Sequence, residues 1–119
     1  MKIRILLAAL LLTLISTAEQ CGIGPDRLRD GCFADAPLET IPWAKNQLAS
    51  FQQPKSGPLR VVVYSYRNEQ FLAFENAFIS SPMSYIFDCS GTSIAQRNIN
   101  YNGFYDEVKT LKVLIRDTY

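Results

Sequence analysis

LRVVVYSYRNEQFLAFEN, residues 59–76, holds two β-rich runs on either side of the polar Arg67-Asn68-Glu69-Gln70. Val61, Val62, Val63, Tyr64 and Tyr66 favour an extended chain, because β-branched and aromatic side chains fit a pleated, half-buried surface. The polar break is short enough for a hairpin. The first run is apolar on both of its faces, which predicts a central strand.

Upstream, PLETIPWAKNQLASFQQP (37–54) has helical spacing, with Ile41, Ala44, Leu48 and Phe51 forming one apolar stripe against Lys45, Asn46, Gln47 and Gln52. Thr40 is the expected cap. Pro42 falls in the first turn, where its missing N–H does no harm, and Pro54 closes the helix. Downstream, Tyr85, Phe87 and Cys89 share one face of a strand, Asp88-Cys89-Ser90-Gly91 carries turn chemistry, and Thr92 to Gln96 is expected to return as a second hairpin. NINYNGFYDEVK (98–109) reads as a loop with a brief helical turn. In the last strand Leu111, Val113 and Ile115 alternate with Lys112 and Arg116. The expected fold is α+β: one N-terminal helix packed on a mostly antiparallel sheet of about five strands.

The chain opens with Lys2 and Arg4, then an apolar run from Ile5 to Ile15 broken only by Thr13, the layout of a secretory signal. A spanning helix needs about 20 apolar residues, so this run is too short to anchor the protein. Ser16-Thr17-Ala18 supplies the small residues that signal peptidase reads, and cleavage is expected after Ala18. The divisions are therefore a signal peptide at 1–18, an irregular segment at 19–37 and a single α+β domain at 38–119. Cleavage leaves ten basic residues against eleven acidic ones. No basic surplus remains to displace counterions from phosphates, which argues against a nucleic-acid partner.

The chain has no histidine, which removes the usual general base, the usual zinc ligand and the histidine of a catalytic triad. No S-x-x-K or G-x-S-x-G pattern occurs. Asn98, Asn100, Asn102 and Gly103 match early positions of a calcium loop, but the twelfth position, where a bidentate glutamate belongs, is Lys109. Paired Asp106-Glu107 and the scattered Asp35, Glu39 and Glu75 read as solvated charges. Catalytic, cofactor and metal residues are expected to be none. The dense aromatics, among them Tyr64, Phe71, Phe74, Tyr101, Phe104 and Tyr105, belong either to the core or to a binding face that one helix leaves uncovered. Trp43 is expected to pin the helix to the sheet.

Cys21, Cys32 and Cys89 allow three alternative single bridges, among which the sequence does not choose. Asp88 disfavours a reactive thiolate at Cys89, and an exported chain meets conditions in which disulfides persist, so a structural bridge is the better reading. Lipid on Cys21 would leave Cys32 and Cys89 to pair. Against lipid, the positions one and three before Cys21 hold Gln20 and Ala18, where the attachment pattern wants a small residue and a leucine.

The helix motif IPWAKNQL, the strand VVVYSY, the turn YIFDCSG and the late LIRD together resemble an uncharacterised family of small exported proteins of Bacteroidetes-type bacteria, a domain of unknown function. In that family an Ile/Leu-Pro-Trp helix precedes a Y-x-Y strand and a Y-D-C-x-G hairpin turn. The resemblance covers Pro37 to the end. Phe87 stands where the family has tyrosine, and the family is richer in cysteine. The resemblance implies an exported or lipid-anchored envelope protein and supplies no catalytic residues.

The expected function is that of an exported cell-envelope protein, in the periplasm, at the cell surface or outside the cell, acting as a non-enzymatic binding module for a protein or peptide. Membrane contact is expected only through lipid at Cys21. A secreted inhibitor-like domain is the alternative, and a thiol redox protein is disfavoured by the lack of C-x-x-C.

Overall fold

The computed structural model describes residues 31–53 and 57–119. Strands β1 (Pro58–Tyr66) and β2 (Glu69–Glu75) form the first hairpin, joined by Arg67 and Asn68 alone. Both turn residues take positive φ, 48° and 65°, the backbone whose twist matches that of the strands it joins. Glu69 and Gln70, read from sequence as part of the break, lie in β2 opposite Tyr66 and Ser65. A two-residue β3 (Ile86–Phe87) pairs with β2, and a ten-residue β4 (Lys109–Thr118) with the other side of β1. The sheet is antiparallel in the order β3-β2-β1-β4, with β1 central, as its two apolar faces predict.

The fold is α+β, with two corrections. Among the described residues the sheet has four strands rather than about five. Residues 92–96 do not return as a strand: one bridge joins Phe87 to Ser93, and turns follow. The reason is local. Gln96 Oε1 accepts from the Ser93 N–H at 3.0 Å while Ser93 Oγ accepts from the Gln96 N–H at 3.2 Å, and such side-chain bonds compete with ladder pairing.

In place of one helix the described residues hold three, α1 (Pro37–Thr40), α2 (Pro42–Gln52) and α3 (Tyr101–Glu107). Thr40 does not cap α2. Its Oγ1 donates back to the carbonyls of Asp35 and Ala36, and extended Ile41 takes the cap position, held out of the helical region by the following Pro42. The stretch expected to be a loop around Tyr101 is a seven-residue helix capped by Asn100, whose side chain accepts from the Gly103 N–H at 2.7 Å.

Both faces of the sheet are covered. On one, Leu59, Val61, Val63, Leu72, Phe74 and Phe87 meet Ala44 and Phe51 of α2, together with fully buried Phe33 from the irregular stretch before α1. Phe51 stacks on Phe74, and Trp43 lies against Phe33 and Phe87, holding α2 to the sheet. On the other face, Val62, Tyr64, Tyr66, Phe71, Ala73 and Ile86 pack under Ile94 and under Phe104 of α3. Phe104 lies 4.9 to 6.1 Å from the rings of Tyr66, Phe71 and Tyr64. The aromatics at these strand positions are therefore core.

The alternation expected in β4 fails for a visible reason. The β1–β4 register slips twice, so Ile115 and Val113 face Val61 and Val62 with Leu114 extra between them, and Lys112 and Thr110 face Val63 and Tyr64 with Leu111 extra. Each bulge resets the in–out order. Leu111, Leu114 and Ile115 pack on the α2 side, and Val113 is left exposed.

Candidate functional site

Beyond the edge of the Phe104 cluster the sheet turns polar. Arg60 and Glu75 lie directly opposite each other on β1 and β2, and Tyr64 projects from the same face as Arg60, four residues on. Arg60 Nε donates to Glu75 Oε1 at 2.6 Å, while the Tyr64 and Tyr105 hydroxyls both donate to Oε2 at 2.6 Å. Arg60 Nη2 also donates to the Tyr64 hydroxyl at 3.2 Å. One carboxylate thus ties β1, β2 and α3 together. The cleft beside it, about 400 Å³, is lined by Arg60, Glu75, Pro82, Ile86, Tyr101 and Tyr105 among others.

Electrostatics hold this cluster in one protonation pattern. Burial raises the pKa of both phenols, and their hydrogen bonds to the Glu75 carboxylate raise them further. The bond to Glu75 also raises the Arg60 guanidinium. Neither tyrosine is poised to lose a proton near neutrality, and each donates to a carboxylate already accepting from others. The arrangement is suited to holding shape and presenting a fixed polar wall.

A second network secures the turn after β3. Arg97 forms a fork with Glu69 at 2.7 and 2.9 Å and reaches Asp88 at 3.2 Å. Its guanidinium carbon lies 5.6 Å from the centre of the Phe71 ring. Asp88 Oδ1 accepts from the N–H groups of Ser90 and Thr92 and from the Ser90 hydroxyl. Partial burial works against ionised Asp88, but these bonds and the charge of Arg97 outweigh it and leave the carboxyl below its ordinary value.

This turn carries Cys89, which is joined to Cys32 in a disulfide with Cα atoms 5.8 Å apart, within the usual range. The bridge fixes the stretch that delivers Phe33 to the core. Gly91 in the same turn has φ +86°, and a Cβ there would approach Trp43 Cε2 to 3.1 Å, so the turn, the bridge and the indole pack as one unit.

Of the other residues singled out from sequence, Cys21 and the bond after Ala18 lie outside the described residues. The calcium-like stretch has become the cap and body of α3, with the Asn100 oxygen spent on Gly103. No group of three or more His, Cys, Asp or Glu that could hold a metal occurs among the described residues. Glu107, expected to be a solvated charge, forms an ion pair with Arg67 at 2.9 Å. Nothing in the sequence spacing of Arg60, Tyr64, Glu75 and Tyr105 joins them. The signal lay in the hairpin: once Arg67-Asn68 is taken as a two-residue turn, Arg60 must face Glu75.

Protein-family models, curated proteins and solved structures all fail to match this chain.

Proposed function

We propose that this is an exported protein of the cell envelope that acts by binding a protein or peptide and carries out no chemistry of its own. The observation that carries the reading is the saturation of the Glu75 cluster. Its carboxylate accepts from one guanidinium and two hydroxyls, leaving a rigid polar surface in place of an available base or nucleophile. The Cys32–Cys89 bridge supports the address, since structural disulfides persist in oxidising compartments, and the charge-then-apolar start at Lys2 to Ile15 supports export. The likeness to small exported Bacteroidetes-type proteins agrees with both.

The bridge also favours a second reading, a secreted inhibitor-like domain, because a scaffold stiffened in this way loses little freedom when it blocks a cleft. Affinity capture from envelope extracts separates the two. A binding module of the envelope is expected to retain structural or surface proteins. Recovery of one dominant hydrolase, inhibited on mixing, would favour the inhibitor, and no retained protein at all would contradict binding. Thiol titration tests the redox alternative: if Cys32 and Cys89 cycle between bridged and free states while a substrate is reduced, the non-enzymatic reading fails.

A further inference from the structure

The two sides of the sheet end differently. β3 is two residues long and shielded by the turns over residues 88–98. β4 runs for ten residues, pairs only with β1 among the described residues and forms the opposite margin of the sheet. Every second peptide group of such an edge strand points away from the sheet, a ready template for another extended chain.

The surroundings of β4 limit what that chain can be. Lys109, Lys112 and Arg116 stand on it against one acidic residue, Asp117. None of the three cations forms an ion pair with another described residue. Arg116 lies opposite Arg60 across the strands, and because Arg60 spends its charge on Glu75, Arg116 is left without an ion-pair partner among the described residues. The two arginines share a cleft of about 250 Å³ on the Phe104 side of the sheet.

On the other side, an apolar groove of about 280 Å³ runs between the helices and this strand, with Pro37, Leu38, Leu48, Leu114 and Ile115 in its walls. The exposed Val113 marks the middle of the strand. A second copy of the chain is a poor occupant, because it would bring its own excess of positive charge to the same edge. The two bulges and the edge cations are also devices that protect sheet margins from pairing with themselves.

We propose that β4 is the binding edge, and that its occupant is an extended segment of another protein in which apolar residues alternate with acidic ones. Alternate side chains of an added strand point to opposite faces. Its apolar side chains enter the groove at Leu38, Leu48, Leu114 and Ile115, and its carboxylates, on the opposite face, meet Arg116, while Lys109 and Lys112, on the α2 side of the strand, add their positive charge to the edge. This rests on the binding-module reading and gives it a place and a ligand chemistry.

The test uses the intact protein and three ten-residue peptides: alternating Val and Glu, alternating Val and Lys, and the Val–Glu composition with prolines at every third position. Binding is followed by fluorescence anisotropy and by hydrogen exchange of the β4 amides. The Val–Glu peptide should bind at least tenfold tighter than either of the others, weaken as salt is raised, and slow exchange from Thr110 to Arg116. The double variant K112E/R116E, which keeps the backbone and the groove, should reverse the preference toward the Val–Lys peptide.

Equal binding of all three peptides would overturn the proposal, as would protection elsewhere on the surface or β4 amides already protected without peptide, by a second copy or by the chain's own first thirty residues. Failure of all three peptides to bind would also overturn it. If envelope capture still retains a partner on K112E/R116E, the binding-module reading survives and only the edge assignment falls.

Discussion

Glu75 shows how much one side chain can organise. It sits at the last position of β2, accepts from Arg60, Tyr64 and Tyr105, and so fastens the hairpin to α3. Replacing it by glutamine keeps the shape but leaves Arg60 without its counter-charge and weakens three charge-assisted bonds. Because Arg60 is partly exposed, the expected loss is moderate, about 2 kcal/mol, read from urea unfolding of E75Q. The phenols give a second prediction. Their pKa values are raised in the folded protein, so the stabilisation is complete below the ordinary tyrosine value of about 10 and is lost as pH rises above it, where the unfolded chain ionises first. Absorbance titration near 295 nm should find Tyr64 and Tyr105 silent until the protein unfolds, and both Y64F and Y105F should flatten the alkaline fall in stability. This cluster was legible only in part. The residues were visible as aromatics and a stray carboxylate, but joining them required the hairpin register, which depends on whether Glu69 and Gln70 belong to the turn or to the strand. Composition leaves that open. Arg67 and Asn68, both in left-handed backbone, decide it.

At the scale of elements, the parts read correctly are those whose hydrophobic pattern and turn chemistry agree. β1, β2 and the stripe of α2 are of that kind, with Ala44, Leu48 and Phe51 all reaching the core. The parts misread are those where side chains bond to nearby backbone or where the register slips. Ser93 and Gln96 stop a fifth strand from forming, and the extra Leu111 and Leu114 replace simple alternation in β4. The Cys32–Cys89 bridge joins two such irregular stretches across 57 residues of sequence. In the chain-entropy account a loop of that size is worth about 4 kcal/mol. Reduction, or C32S/C89S, should therefore lower the urea midpoint substantially, with the change largest in hydrogen exchange around Phe33 and Trp43. Gly91 tests the same unit from the other side. G91A places a side chain in left-handed backbone against Trp43, and should cost about 1–2 kcal/mol, with a shift in indole fluorescence that a distant alanine substitution would not produce.

For the molecule as a whole, covering both faces of the four-stranded sheet leaves no broad aromatic surface among the described residues, which moves the candidate binding surface from the face of the sheet to its β4 edge. Truncating Phe104, the ring at the centre of the second core, should cost about 3–5 kcal/mol and broaden the unfolding transition, because Tyr64, Tyr66, Phe71 and Tyr105 all lean on it. The proposed binding role requires that the protein work outside the cytoplasm with its bridge closed. Intact-mass analysis of the native protein, alkylated before any reductant is added, tests that requirement most directly. The expected mass is that of a chain beginning at Glu19, with Cys32 and Cys89 joined and one alkyl group on Cys21. A chain that still begins at Met1 and carries three alkyl groups would contradict it.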